Sequence, residues 1–202
     1  MNLRILIAED IELVAEAFEA LLSTKPTFDV VGRVRTGADL LGAVRTYRPD
    51  VAVVDVEMPG MTGIEATAEL RANGEDCKVL LLTALPGSGH LHSALAAGAN
   101  GYLLKSTTGT RLIEAIETIH QGRTVIDPEL AADALRAGPN PLTAREQDIL
   151  RLVHAGHGTG EIASRMFLST GTVRNYLSSA MNKLQAGGRI EAVNTARQSG
   201  WI

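Results

Sequence analysis

Five polar residues stand at the ends of apolar runs, and their types together could perform phosphoryl chemistry. Asp55 closes the run VAVV, Glu9 and Asp10 follow LRILIA, Thr83 closes KVLLL, and Lys105 follows GYLL. An acid at the mouth of an apolar strand is costly to bury unless a cation or a reaction uses it. Glu9, Asp10 and Asp55 could not sit together ionised without a cation. They therefore imply a hard divalent ion with oxygen ligands, most plausibly Mg²⁺. With that charge offset, one carboxylate can attack a phosphoryl group and form an acyl phosphate. Lys105 and the Thr83 hydroxyl would then hold the new phosphate oxygens. Each residue taken singly has an ordinary role: a cap or turn for Asp55, a strand-end turn for Thr83, a solvated position for Lys105. It is their joint placement that points to chemistry.

The elements that must position them are legible as alternating strands and helices. Leu3–Ala8, Phe28–Val34, Val51–Asp55, Lys78–Thr83 and Gly101–Lys105 read as strands, most of them apolar throughout rather than alternating. Such runs belong to strands buried on both faces. Between them, apolar residues recur at helical spacing: Val14, Phe18, Leu21 and Leu22; Leu40, Leu41 and Val44; then Ile64–Ala72, Leu91–Ala97 and Arg111–His120. Five alternations predict an α/β unit, a doubly wound five-stranded parallel sheet of the flavodoxin-like kind. In the sheet order 2-1-3-4-5, taken from known folds of this class, strands one, three, four and five are neighbours. Ligands bind outside their carboxyl ends, where all five polar residues fall.

Residues 1–121 resemble the receiver domain of two-component response regulators. The resemblance rests on the acidic pair Glu9-Asp10, on Asp55 followed by Met58-Pro59-Gly60-Met61-Thr62-Gly63, and on Thr83 and Lys105. It implies that Asp55 is the phosphoacceptor, and that Asp10, Asp55 and the Glu57 backbone carbonyl ligate Mg²⁺ directly, with Glu9 acting through water. It also implies that Tyr102, three residues before Lys105, is the aromatic partner of Thr83 in a switch. Ser106 stands where many receivers have a proline after the lysine, in cis.

Residues 122–138 read as a linker with one short helix opened by Asp127-Pro128 and running through Glu129, Leu130 and Leu135. Ala137–Pro141 (AGPNP) then breaks the pattern. Beyond it, residues 139–202 predict a small all-α domain. Thr143 and Glu146 form a capping box ahead of Ile149, Leu150 and Val153. A short helix to Met166, a tight connection at Leu168–Thr170, and a longer helix to about Leu184 have helix-turn-helix proportions. The longer helix is apolar at Val173, Leu177, Ala180, Met181 and Leu184, and polar at Arg174, Asn175, Ser178, Ser179 and Asn182. Arg can bond guanine edges and Asn adenine edges, while small serines allow close approach to the groove floor. On pattern alone, a solvated helix face explains the polar side as well.

Here too a resemblance decides. LTAREQDIL, EIA, LSTGTVR and KL…RIEA match, in order, the DNA-binding domain of the LuxR/NarL type. It implies recognition-helix contacts from Arg174, Asn175 and Ser178, with Thr172 near the DNA backbone. It also implies dimerisation through the last helix, Ile190–Gln198, with Val193 and Ala196 as contacts. Tyr176 stands where many members have histidine, and Ser178 where a basic residue is frequent. Within the family, TALPG, GYLLKS and TVRNYLS resemble a branch concerned with membrane-lipid desaturation, a matter of ancestry rather than of target genes.

The totals suit this reading. The chain has 202 residues, 45% hydrophobic and 21% charged, enough for two small domains. Its single cysteine, Cys77, excludes an internal disulfide and suits a reducing cytoplasm. Apolar runs are far short of a membrane span, and acid arrives too early for a signal peptide. The net charge of −4 divides unevenly, with −6 over residues 1–121 and +3 over 139–202, as a nucleic-acid partner for the second part would favour.

The expectation is a transcription regulator phosphorylated on Asp55 by a sensor histidine kinase, dimerising on double-stranded DNA, with RNA polymerase as a further possible partner. It would not be an enzyme, beyond accepting and slowly losing its own phosphoryl group. The alternative is a DNA-binding regulator that works independently of phosphorylation, its first domain serving as a dimerisation scaffold. A metabolite phosphatase with an Asp nucleophile fits less well. That chemistry usually wants a second catalytic acid two residues on, and here Glu57 sits on a turn with no lid insertion.

Overall fold

The computed structural model describes residues 2–84, 89–137 and 140–202. The described residues form two compact units, one containing 2–84 and 91–131, the other 89–90, 132–137 and 140–202. No helix among them is long and apolar enough to cross a membrane.

The first unit is a parallel sheet in the order β2-β1-β3-β4-β5-β6. Its strands are β1 (Leu3–Ala8), β2 (Phe28–Val34), β3 (Val51–Asp55), β4 (Lys78–Thr83), β5 (Gly101–Leu104) and β6 (Val125–Ile126). The helices between them are α1 (Glu12–Ser23), α2 (Gly37–Tyr47), α3 (Gly63–Ala72), α4 (Gly89–Ala96) and α5 (Gly109–His120). Every residue of β3 is buried, as are the last four of β1 and the last five of β4, which is why these strands read as apolar runs. Ile5, Ile7, Val53, Leu80, Leu82 and Leu103 pack on one face of the sheet against Leu112, Ile116 and Ile119 of α5.

The sheet has six strands where the sequence predicted five. In β6, Val125 pairs with Gly101 and Ile126 with Tyr102, within the stretch read as linker. Two residues are too few for any periodicity to register, yet Val125 is only 7% exposed and joins the core.

After β6, α6 (Pro128–Ala137) leads to the second unit. The side chain of Leu135, expected at an apolar position, and residues 138–139 of the break expected over 137–141 lie outside the described residues. The second unit comprises α7 (Ala144–His154), α8 (Thr159–Met166), α9 (Thr170–Lys183) and α10 (Arg189–Gln198). Its core joins Ile149, Leu150 and Val153 of α7 to Ile162, Val173, Leu177 and Ala180 of α8 and α9. Val193 and Ala196, expected as dimer contacts, belong to this core at 4% and 0% exposure. The helical period turns Ala192, Val193 and Ala196 inward and leaves Ile190, Asn194 and Arg197 exposed.

Candidate functional site

Register brings the polar strand ends together. Ala8 pairs with Val54, Asp55 with Leu82, and Thr83 with Leu104, so Glu9, Asp55, Thr83 and Lys105 emerge from one rim. The loop after β3 is shaped to hold Asp55 there. Gly60 adopts φ +80°, a left-handed turn that a side chain would strain. Gly63 starts α3 so close to β3 that a Cβ would strike the Asp55 carbonyl oxygen. Thr62 caps α3 by accepting from Glu65 N–H at 3.2 Å, while Glu65 accepts from Thr62 N–H at 2.9 Å.

The carboxylates of Glu9, Asp10 and Asp55 offer oxygen atoms all within 4.8 Å of one another. Glu9 and Asp55 are almost fully buried and Asp10 is half-buried. Lys105 Nζ lies 2.8 Å from Glu9 Oε2 and 2.9 Å from Asp55 Oδ2, serving as the internal counter-ion. Asp55 Oδ1 accepts from the Glu57 N–H at 3.2 Å. One ammonium leaves three carboxylates with a local charge of about −2. Burial, and next to it the Asp55 charge, raise the Glu9 pKa even though the Lys105 hydrogen bond opposes them. Burial lowers the Lys105 pKa, but hydrogen bonds to Glu9 and Asp55 more than offset this and hold it above its ordinary value. Three hard oxygen donors with residual negative charge fit a divalent cation of the Mg²⁺ class and would not favour a soft metal.

Thr83 and Tyr102 lie beside this cluster, both fully buried. Thr83 Oγ1 donates to Glu57 Oε1 at 3.4 Å. The Tyr102 hydroxyl makes no hydrogen bond of acceptable geometry among the described residues. Burial pushes its pKa up, and the nearby Thr83 side chain only partly opposes this. The peptide after Lys105 is trans.

In the second unit, α9 exposes Arg174, Asn175 and Ser178 on one face, opposite Val173, Leu177 and Ala180. Ser169 caps the helix by accepting from Thr172 N–H at 3.0 Å, and the two hydroxyls lie 2.8 Å apart. Thr172 is thus held at the first turn, half-buried.

Two family models divide the chain as the geometry does. Residues 5–117 match the response regulator receiver domain, and residues 140–196 match the bacterial regulatory proteins of the luxR family. The chain belongs to the LuxR-type response regulators. It is 41% identical over 198 residues to the transcriptional regulatory protein DesR of Bacillus subtilis (strain 168), covering 98% of each chain. It is 40% identical to the uncharacterized transcriptional regulatory protein YvfU of the same strain, covering 99% of this chain and 100% of that protein. Among solved structures, the response regulator ChrA of a heme-sensing two-component system is 30% identical, with a TM-score of 0.60 and coverage of 100% and 99%. RcsB from Salmonella enterica serovar Typhimurium, bound to promoter P1flhDC with BeF3−, is 24% identical with a TM-score of 0.71, covering 98% of this chain and 99% of that one. At that identity the likeness is one of fold. This response regulator is accordingly a DNA-binding transcriptional regulator of the two-component type.

One residue of this regulator has a role that sequence reasoning missed. Glu146 caps α7 as its spacing predicts, accepting from Thr143 N–H at 2.6 Å. It is also only 2% exposed, and it accepts from Ser179 Oγ and Lys183 Nζ, each at 2.7 Å. Burial alone would raise its pKa, but the bonds from Lys183, Ser179 and Thr143 lower it to about 2. The local signal was a capping box. Its partners on α9 lie 33 and 37 positions away, where no short-range pattern reaches.

Proposed function

We propose that the regulator is switched by transfer of a phosphoryl group from a sensor histidine kinase to Asp55. The observation that carries this reading is the buried Asp55 carboxylate, within 2.9 Å of Lys105 Nζ and grouped with Glu9 and Asp10. An Asp55 oxygen attacks phosphorus as the bond to the donor nitrogen breaks, leaving an acyl phosphate on the protein. Mg²⁺, held by Asp10, Asp55 and the Glu57 carbonyl with Glu9 behind them, would supply charge neutralisation for this transfer. Lys105 exchanges its Asp55 carboxylate partner for a phosphoryl oxygen, and the Thr83 hydroxyl takes another. Tyr102 then follows Thr83, biasing a two-state surface near β5 toward a dimer.

Residues 1–121 act as the receiver and 122–138 as the connection. Residues 139–202 read double-stranded DNA through Arg174, Asn175 and Ser178, with Thr172 beside the backbone. A dimer meets half-sites about one helical turn apart, and RNA polymerase is a downstream partner at the regulated promoter. The place of action is the cytoplasm, where DNA and kinase meet. The regulator is not a turnover enzyme, apart from slow loss of its own phosphoryl group.

The test is intact-protein mass after incubation with acetyl phosphate and Mg²⁺, for wild type and Asp55→Ala. One added phosphoryl group on wild type and none on the folded variant is expected. Equal labelling of both sinks the proposal. Unlabelled wild type that still binds DNA as a dimer would favour the phosphorylation-independent scaffold.

A further inference from the structure

Lys183 occupies the last turn of the helix assigned to DNA, where a lysine would ordinarily be counted among the phosphate contacts. Its ammonium is instead committed inward. It sits 2.7 Å from a Glu146 carboxylate that is itself 3% exposed, while the lysine side chain is 34% exposed. Ser179, one turn earlier on the same edge of α9, donates to the other oxygen of that carboxylate at 2.7 Å. Glu146 is anchored in turn by the Thr143 N–H, so its position is fixed by α7. Arg174, on the outward face of α9, makes no ion pair among the described residues. One helix therefore carries one uncommitted cation and one that is held back.

We propose that Glu146 is a positioning residue for DNA reading: it pins the rotation of α9 through Ser179 and withholds Lys183 from the DNA backbone. The inference rests on the reading of α9 as the recognition helix. A free Lys183 would add a sequence-independent phosphate contact, raising affinity for every duplex alike and so lowering discrimination. Held by Glu146, it leaves affinity to the groove-facing residues. The same bond fixes which residues of α9 face outward, because Ser179 and Lys183 lie on one helical edge beside Ser178.

The test is the salt dependence of binding to a short duplex of arbitrary sequence, using the full chain. Wild type, Glu146→Gln, Lys183→Gln and the double variant are compared, with Trp201 fluorescence confirming that each is folded. Glu146→Gln is expected to steepen the slope of log K against log salt by about 0.9, the signature of one added phosphate contact. Lys183→Gln should leave the wild-type slope unchanged, and the double variant should return to it. A purely structural role for Glu146 would move stability but not these slopes. A Lys183→Gln slope flattened by about 0.9 would mean that Lys183 already touches phosphate, and would overturn the proposal. So would an unchanged slope in folded Glu146→Gln. A wild type with no salt-dependent duplex binding would refute the reading of α9 itself, and the proposal with it.

Discussion

Replacing Glu146 by Gln tests how much one buried carboxylate stabilises the DNA-binding unit, and the structure sets the size of the effect. The folded-state pKa is about 2 against an ordinary value of 4.5. At about 1.36 kcal/mol per unit, the difference corresponds to roughly 3 kcal/mol of stability. Because the folded pKa is depressed, that stability is fully present above the unfolded value. It is lost as pH falls from about 4.5 through about 2. The Lys183 side chain is about one-third exposed, so water shares its charge and the expected cost is nearer 2 kcal/mol at neutral pH. Trp201 is the only tryptophan in the chain; it packs on the core of the second unit, and its backbone N–H donates to the Ala196 carbonyl at 2.7 Å. Its fluorescence therefore follows unfolding of this unit without interference from the first. With a urea slope of about 1 kcal/mol/M, the midpoint of Glu146→Gln should fall by about 2 M. The gap between wild type and variant should then narrow as pH drops toward about 3. A neutral-pH cost below about 0.5 kcal/mol, or a gap that does not change with pH, would refute the reasoning.

Three further outcomes follow from the same geometry. Gly63→Ala should destabilise the first unit by about 1–3 kcal/mol and slow acetyl-phosphate labelling, because its methyl group displaces the Asp55 carbonyl; unchanged thermal stability and labelling would show that the loop yields freely. Lys105→Met should strengthen Mg²⁺ binding about tenfold in calorimetric titration, since it removes a cation 2.8–2.9 Å from two of the proposed ligands. The same variant should label poorly, and weaker Mg²⁺ binding would mean that Lys105 organises the acidic cluster rather than competing for it. Arg174→Ala should weaken operator binding by about 1–3 kcal/mol and leave Asp55 labelling intact; full operator affinity would remove Arg174 from the contact set.

The first unit was legible because its strands are buried on both faces, so each apolar run ends where a polar candidate residue begins. Asp55, Thr83 and Lys105 could be placed at strand ends without knowing any contact. What the runs could not carry was anything short or distant. β6 is two residues long, and Glu146 finds its partners on another helix. Thr143 and Glu146 gave a correct capping box that concealed the second role, since a single glutamate can serve both with different lone pairs. The burial of the expected dimer contacts was also beyond the reach of the sequence pattern. Val193 and Ala196 follow the family's helix, but on α10 the small unit needs that same stripe to close its own core.

Both units place a lysine from a distant element against a buried carboxylate, and the pKa directions separate the two uses. Around Lys105 two acids, Glu9 and Asp55, share one ammonium with Asp10 close to both, and Glu9 is pushed above its ordinary value. Such a site is incompletely neutralised, and it gains from a cation or from exchanging Lys105 onto a new anion. Glu146 faces the opposite balance, with one carboxylate receiving Lys183, Ser179 and the Thr143 N–H, and its pKa falls to about 2. That carboxylate already has its donors in this structure, so it is not left seeking a further cation. The first arrangement is poised to change partners and the second to hold still. The proposed switch needs both, since a phosphoryl group received at Asp55 would reach DNA only through a reading helix that keeps its face.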